Sequence, residues 1–278
     1  MSCVRIATRA SRLALTQSEL VAEALRQALG CETQLVQVRT TGDRILDRPL
    51  AEIGGKGLFI KEVEEALLDG RADLAVHSAK DLPGKLDPRL PLVAFPERAD
   101  PRDAFCANGC PALADLPRGA RVGTGSVRRQ SQLRAWRSDL EVVGLRGNVE
   151  TRLRKMEASL DAVILATSGL ERLALHGRIR ERVAPERLLP AAGQGTLALQ
   201  VRAEDRLRER LAPLDHGPTR CATEAERAFL AALEGDCGVP LGALAEPAGP
   251  GRLRLRGLVA RVDGAAVVAG QGEDAWER

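Results

Sequence analysis

The chain has 278 residues, 44% of them hydrophobic, which is enough to fill two domain cores and a small third. Only 2% of the residues are aromatic and the formal net charge is +3, which argues against a base-stacking nucleic-acid surface or a basic field over the whole molecule. Its six cysteines are too scattered for a disulfide framework, and no apolar run approaches the roughly 18 residues of a membrane span, so reduced thiols in a cytoplasmic protein are expected.

The N-terminal text has no apolar segment of signal-peptide length and goes directly into VRIAT, a buried strand pattern. A helical period over residues 13–29 and a second strand, TQLVQV, complete a β-α-β opening, the start of a layered α/β domain with a parallel sheet. Residues 40–57 show little periodicity and end in GGKG, a long irregular stretch of the kind that serves as a lid. Gly54, Gly55 and Gly57 do not form a phosphate loop, because the G-x-x-x-x-G-K-[ST] pattern is missing, and a hinge role fits them better. A helix over 58–68 and the strands DLAVHS and PLVAF follow, and the proline-punctuated text PERADPRDAF marks a crossing into a second unit at 96–101. There the alternation repeats: strand ARVGT, helix 127–137, strand LEVVGL, helix 149–156, strand DAVILA, then helix-rich text to 187. LLPAAGQGTLALQV supplies a Gly-rich return and a strand that belongs back in the first sheet, so the first domain is discontinuous, 1–96 plus 196–216, around a second at 97–195. A helix over 219–233, a loop with Cys237 and the strands LRLRGLVARV and AAVVAG make a small α+β domain, 217–278.

Two loop-to-helix junctions are rich in arginine: GTGSVRRQ, with Ser126, Arg128 and Arg129, and LRGNVETRL, with Arg146 and Arg152. Amide hydrogens at helix starts favour anions, and a guanidinium can grip one carboxylate with two parallel bonds, so a ligand with several carboxylates is the natural guest. Arg9 and Ser11, between the first strand and its helix, add a third contact of the same kind. Lys80 and Asp81 lie just beyond a strand end, where open α/β sheets bind ligands. One carboxylate among cations can exchange protons and stabilise a transient cation. Cys237 sits in GDCGVP, where neighbouring glycines leave the sulfur accessible to a tether, although an ordinary loop cysteine reads the same way. Cys106 and Cys110 have no second pair nearby and the three histidines are dispersed, so no metal site is expected.

The order and spacing of IATRAS, GGKGLF, AVHSAKDLP, DPRDAF, VGTGSVRRQ, LRGNVETRL, PAAGQG and LEGDCGVP resemble the porphobilinogen deaminase, or hydroxymethylbilane synthase, family along essentially the whole chain. The resemblance implies two lobes like type II periplasmic binding proteins with a small α+β C-terminal domain. It also implies one dipyrromethane cofactor per chain, attached by a thioether to Cys237. On that primer the transferase adds four porphobilinogen molecules with loss of ammonia, then hydrolyses off hydroxymethylbilane for porphyrin and haem biosynthesis. Carried onto this chain, the family pattern makes Asp81 catalytic and gives Lys80, Asp81, Ser126, Arg128, Arg129 and Arg146 to the cofactor. Arg9, Ser11, Arg152 and Gln194 fall to the substrate and the growing polypyrrole chain, and Asp43, Lys56 and Phe59 to the lid. Glu52 stands where some relatives have Lys, and Gly125 where they have Ser. A cytoplasmic monomer that binds neither nucleic acid nor membrane is expected.

Two rival readings follow from the same residues. Hinged α/β lobes with arginines at helix starts also suit a noncatalytic polycarboxylate-binding protein, in which Asp81 and Cys237 have no role. The arginine clusters alone would suit a nucleic-acid-binding module, with strongly salt-dependent binding.

Overall fold

The computed structural model describes residues 3–39, 60–233 and 239–276. β1 (Cys3–Arg9) buries Val4, Ile6 and Ala7 and turns at residues 10 and 11 into α1 (Arg12–Leu29). The helix starts there because the Ser11 hydroxyl accepts the Ala14 amide hydrogen, satisfying a donor that a helix start leaves open. It stops at Gly30, whose φ of 60° lets its amide reach the Arg26 carbonyl. Between these caps Val21, Ala22 and Leu25 recur at helical spacing and pack on Val4, Ile6, Leu74 and Leu199.

The first lobe continues with β2 (Glu32–Val38), α2 (Lys61–Leu68), β3 (Leu74–Ser78) and β4 (Leu92–Ala94). The chain then crosses to β5 (Asp103–Ala107), β6 (Arg121–Thr124), α3 (Val127–Trp136), β7 (Glu141–Gly144), α4 (Val149–Ser159), β8 (Ala162–Ala166), α5 (Thr167–Arg172) and β9 (Glu181–Val183). It returns as β10 (Leu197–Gln200) and α6 (Leu207–Arg210), and ends with α7 (Gly217–Ala232) on an antiparallel sheet of β11 (Leu241–Pro247), β12 (Arg252–Ala260) and β13 (Val267–Ala275).

The two lobes share one plan. In the first sheet the order is β2-β1-β3-β10-β4, with β1 parallel to β2 and β3, and β10 antiparallel to its neighbours. In the second it is β7-β6-β8-β5-β9, with β6 parallel to β7 and β8, and β5 antiparallel to its neighbours. In each lobe the antiparallel strand is the one that follows an interlobe crossing: β5 enters the second sheet and β10 re-enters the first. The return strand expected from LALQV is therefore found, whereas β5, β9 and β11 went unread. β5 is buried along its whole length and shows no alternation, β9 has three residues, and β11 is built largely from small residues. No helix among the described residues is long and apolar enough to cross a membrane.

Candidate active site

The carboxyl ends of β3 and β6 lead into charged residues of the two lobes, and Gln194 Oε1 joins them by accepting from Lys80 Nζ and from Arg129 Nη2. β3 ends in a single tight turn, Ala79–Asp81, that puts Lys80 and Asp81 at the strand tip. Ala79 donates its amide hydrogen to the Thr196 carbonyl of the returning segment at 3.0 Å. Gly193 lies directly beneath: a Cβ there would sit 2.9 Å from the Ala79 Cβ and 3.1 Å from the Lys80 nitrogen, and its φ of 73° already requires glycine. Asp81 is exposed and Lys80 half-buried. Burial pulls the Lys80 ammonium down to about 8, with Asp81 opposing that drop and Arg129 adding to it.

In the second lobe β6 leads through Gly125 and Ser126 into α3, and the Ser126 hydroxyl caps that helix by accepting the Arg129 amide hydrogen at 3.5 Å. A Cβ on Gly125 would stand 2.5 Å from the Leu145 carbonyl oxygen, so serine at this position requires the end of β7 to move away. Asn148 caps α4 by accepting from the Thr151 amide, which sets Arg152 in the first turn with its Nε donating to the Gly147 carbonyl at 2.8 Å. Burial lowers the Arg152 guanidinium to about 10; Arg129 and Arg146 lower it further and Asp81 opposes them. The cations expected from both lobes and Asp81 are thus brought within one electrostatic neighbourhood. Arg9, at the end of β1, and Asp81 both bear on His77, whose imidazole burial pushes down to about 4 while its Nε2 pairs with Gln200 Oε1 at 2.8 Å.

Arg128 and Arg129, expected to hold ligand carboxylates, are also engaged within the chain. They are 4% and 5% exposed and hold a carboxylate of the chain itself, Asp103 at the start of β5, which is fully buried. Asp103 Oδ2 lies 2.9 Å from Arg128 Nη2, and Oδ1 accepts from Arg129 Nη2 at 2.8 Å and Nε at 3.0 Å. Burial works against this carboxylate, but the two guanidiniums outweigh it and hold Asp103 at about 2. Gln194 is likewise turned inward. It is 1% exposed, its Nε2 donates to Pro101 O at 2.6 Å and to Asp103 Oδ1 at 2.8 Å, and its Oε1 accepts from Lys80 Nζ at 3.5 Å. Gln194 thus links Lys80, Arg129 and Asp103 within the chain, beside the substrate-binding role that the family pattern gives it. Asp103 was missed because DPRDAF reads as a crossing and its partners lie 25 and 26 residues away. Cys237, Asp43, Glu52, Lys56 and Phe59 lie outside the described residues, so the tether and the lid are not placed.

Family models match nearly all of the chain: "porphobilinogen deaminase, dipyromethane cofactor binding domain" over residues 4–210 and "porphobilinogen deaminase, C-terminal domain" over 220–277. Among curated relatives, a porphobilinogen deaminase of Nitratidesulfovibrio vulgaris (strain DSM 19637 / Miyazaki F) is 53% identical over 95% of this chain and 84% of its own length. One from Roseiflexus sp. (strain RS-1) is 54% identical over 94% of this chain and 87% of its own. Among solved structures, a periplasmic substrate-binding protein of an ABC transporter from Coxiella burnetii aligns with a TM-score of 0.48 at 15% identity, over 81% of this chain and 97% of its own.

Proposed function

Because the chain belongs to the porphobilinogen deaminase family, we propose that the cleft between its lobes is where the family's reaction runs, with Asp81 as the carboxylate at the reacting ring. The activity is that of hydroxymethylbilane synthase, a transferase of porphyrin and haem biosynthesis that joins four porphobilinogen molecules head to tail, each with loss of ammonia. One observation carries the site: beyond the carboxyl ends of parallel strands in both lobes, Gln194 Oε1 accepts from Lys80 Nζ at 3.5 Å and from Arg129 Nη2 at 3.4 Å, and Asp81 acts electrostatically on both Lys80 and Arg152.

This set suits the dipyrromethane cofactor. The group brings acetate and propionate carboxylates, and the cleft offers an ammonium, several guanidiniums and a buried Arg128 Nε with no hydrogen-bond partner among the described residues. When bound, the cofactor supplies the primer ring to which the first substrate is joined. Lys80, Arg128, Arg129 and Arg146, with Ser126, would hold its carboxylates, Arg9, Ser11, Arg152 and Gln194 would bind incoming rings, and as the chain advances the whole set would hold its growing row of carboxylates. Asp81 accepts hydrogen bonds from pyrrole N–H groups and stabilises the cation left as ammonia departs. It then takes the proton whose loss restores the aromatic ring. On the family pattern Cys237 would be the thioether tether, and Asp43, Lys56 and Phe59 would belong to the lid. The chain divides at 1–96 plus 196–216, 97–195 and 217–278 and works as a cytoplasmic monomer.

The intact mass of the purified protein, with peptide mapping around residue 237, tests this reading. A dipyrromethane adduct on Cys237, absent from Cys237→Ser, is expected. A chain that carries no adduct and gains none from porphobilinogen would favour a noncatalytic polycarboxylate binder.

A further inference from the structure

Asp103 already fills the place between Arg128 and Arg129 where a ligand carboxylate is expected. Its Oδ1 accepts from four donors: Arg128 Nη2 at 3.2 Å, Arg129 Nε at 3.0 Å, Arg129 Nη2 at 2.8 Å and Gln194 Nε2 at 2.8 Å. Its Oδ2 makes an ion-pair contact to Arg128 Nη2 and has no hydrogen bond among the described residues. Each guanidinium is also anchored to the backbone of its own lobe, Arg128 Nη1 to the Leu189 carbonyl at 2.6 Å and Arg129 Nη1 to the Ile164 carbonyl at 3.1 Å. A neutral residue of the same shape at 103 would therefore remove the charge while leaving both arginines tied in place.

The energetics of ligand binding at this pair are then those of an exchange. A pyrrole carboxylate that reaches Arg128 or Arg129 takes donors from Asp103, so one ion pair replaces another. A site that elongates a chain must also let go of each ring it has gripped, and binding substrate and later states equally tightly gains nothing in rate.

We propose that Asp103 is a built-in competitor for the carboxylates of the pyrrole chain, a positioning residue that occupies donors of both Arg128 and Arg129 so that the chain advances ring by ring. The proposal rests on the reading that this arginine pair holds pyrrole carboxylates. Gln194 couples the exchange to the first lobe, because the amide that donates to Asp103 also accepts from Lys80 and, at 3.4 Å, from Arg129 Nη2.

The test is steady-state kinetics and intact mass on holoenzyme carrying Asp103→Asn. With the competitor's charge removed, KM for porphobilinogen falls about tenfold and kcat falls about tenfold with it. Intermediates carrying one to four added rings accumulate beyond wild-type levels. A rise in KM, or a kcat left at the wild-type value, overturns the proposal, since a merely structural carboxylate loosens binding when neutralised. If Asp103→Asn does not fold, Asp103→Gly prepared in formate replaces it. Formate then raises KM and kcat together, with chloride at equal ionic strength inert, and a variant indifferent to formate overturns the exchange. Arg128→Lys separates this from the underlying reading. If it raises KM while Asp103→Asn leaves KM unchanged, only the exchange falls; if neither moves KM, the carboxylate-holding role of the pair falls as well.

Discussion

Lys80 and Asp81 leave the same three-residue turn with different exposure, and each gives a separate handle on the chemistry. Asp81 is exposed to the cleft, so removing its carboxyl perturbs little packing. Asp81→Ala is expected to lower kcat by roughly 10³-fold, the scale of a general acid or base, while the protein still acquires its cofactor. Near-normal turnover of porphobilinogen by that variant would refute the assignment. Lys80 titrates near 8, so its charge is lost as pH rises through that value, and KM for porphobilinogen climbs by about tenfold between pH 7.5 and 9. Lys80→Arg should flatten that rise, and an unchanged profile would remove Lys80 from carboxylate binding. Stability moves the other way: between about 8 and the ordinary 10.5 the unfolded chain keeps a proton that the folded one has lost, so this side chain favours folding more as pH rises. His77 acts on the acid side. Between its ordinary 6.5 and about 4 the unfolded chain takes a proton that the buried imidazole refuses, so its contribution to stability falls as pH drops through that window. Thermal unfolding of His77→Gln should depend less on pH there than the wild type.

Glycines play different parts in different elements, and substitution can tell them apart. Gly30 ends α1 at φ 60° with open space around it, so Gly30→Ala incurs only the left-handed conformational penalty, about 1 kcal/mol. Gly195, in the return crossing, has φ 91°, and a Cβ there would run into the Ala99 carbonyl of the outgoing crossing. Gly195→Ala should therefore cost clearly more, about 2–4 kcal/mol by denaturant midpoint, as strain and clash combine. Equal costs would mean that the crossings adjust freely. The same contrast between local and distant causes decides what the sequence disclosed. α1, α3 and α4 were legible because Ser11, Ser126 and Asn148 cap them locally ahead of a helical period. Lys80 and Asp81 were legible because a strand end carries them. β5 was not, since a strand buried on both faces beside a proline-rich crossing loses its alternation, and with it went Asp103. The true partners of Arg128, Arg129 and Gln194 depend on which strand β5 joins, a long-range fact that no local pattern encodes.

At the scale of the whole molecule, two lobes of identical strand order are joined by two crossings, and the third unit fastens onto those crossings. Arg98 Nε, in the outgoing crossing, donates to the Gln194 carbonyl of the returning one at 2.9 Å, and Ala99 donates to the Gly195 carbonyl at 3.3 Å. Glu226 of α7, fully buried, then accepts from Arg98 Nη1 at 2.6 Å and Nη2 at 3.1 Å, from the Gly193 amide at 2.6 Å and from the Ala245 amide of β11 at 2.8 Å. One carboxylate thus ties both crossings to the helix and sheet of the C-terminal unit, within two residues of Gly195 and directly behind the turn that carries Lys80 and Asp81. Cutting it leaves a buried guanidinium and two amide hydrogens without their acceptor, so Glu226→Ala should cost about 3–5 kcal/mol. Because the same group couples separate units, its loss should also split a single calorimetric transition into two, with the C-terminal unit melting first. Arg98→Ala and Glu226→Ala combined should destabilise by far less than the sum of the single changes, since either one already breaks the junction. Additive costs in that double-mutant cycle, or one sharp transition in Glu226→Ala, would mean that the C-terminal unit is held by its packing against the lobes and that the junction only seals it.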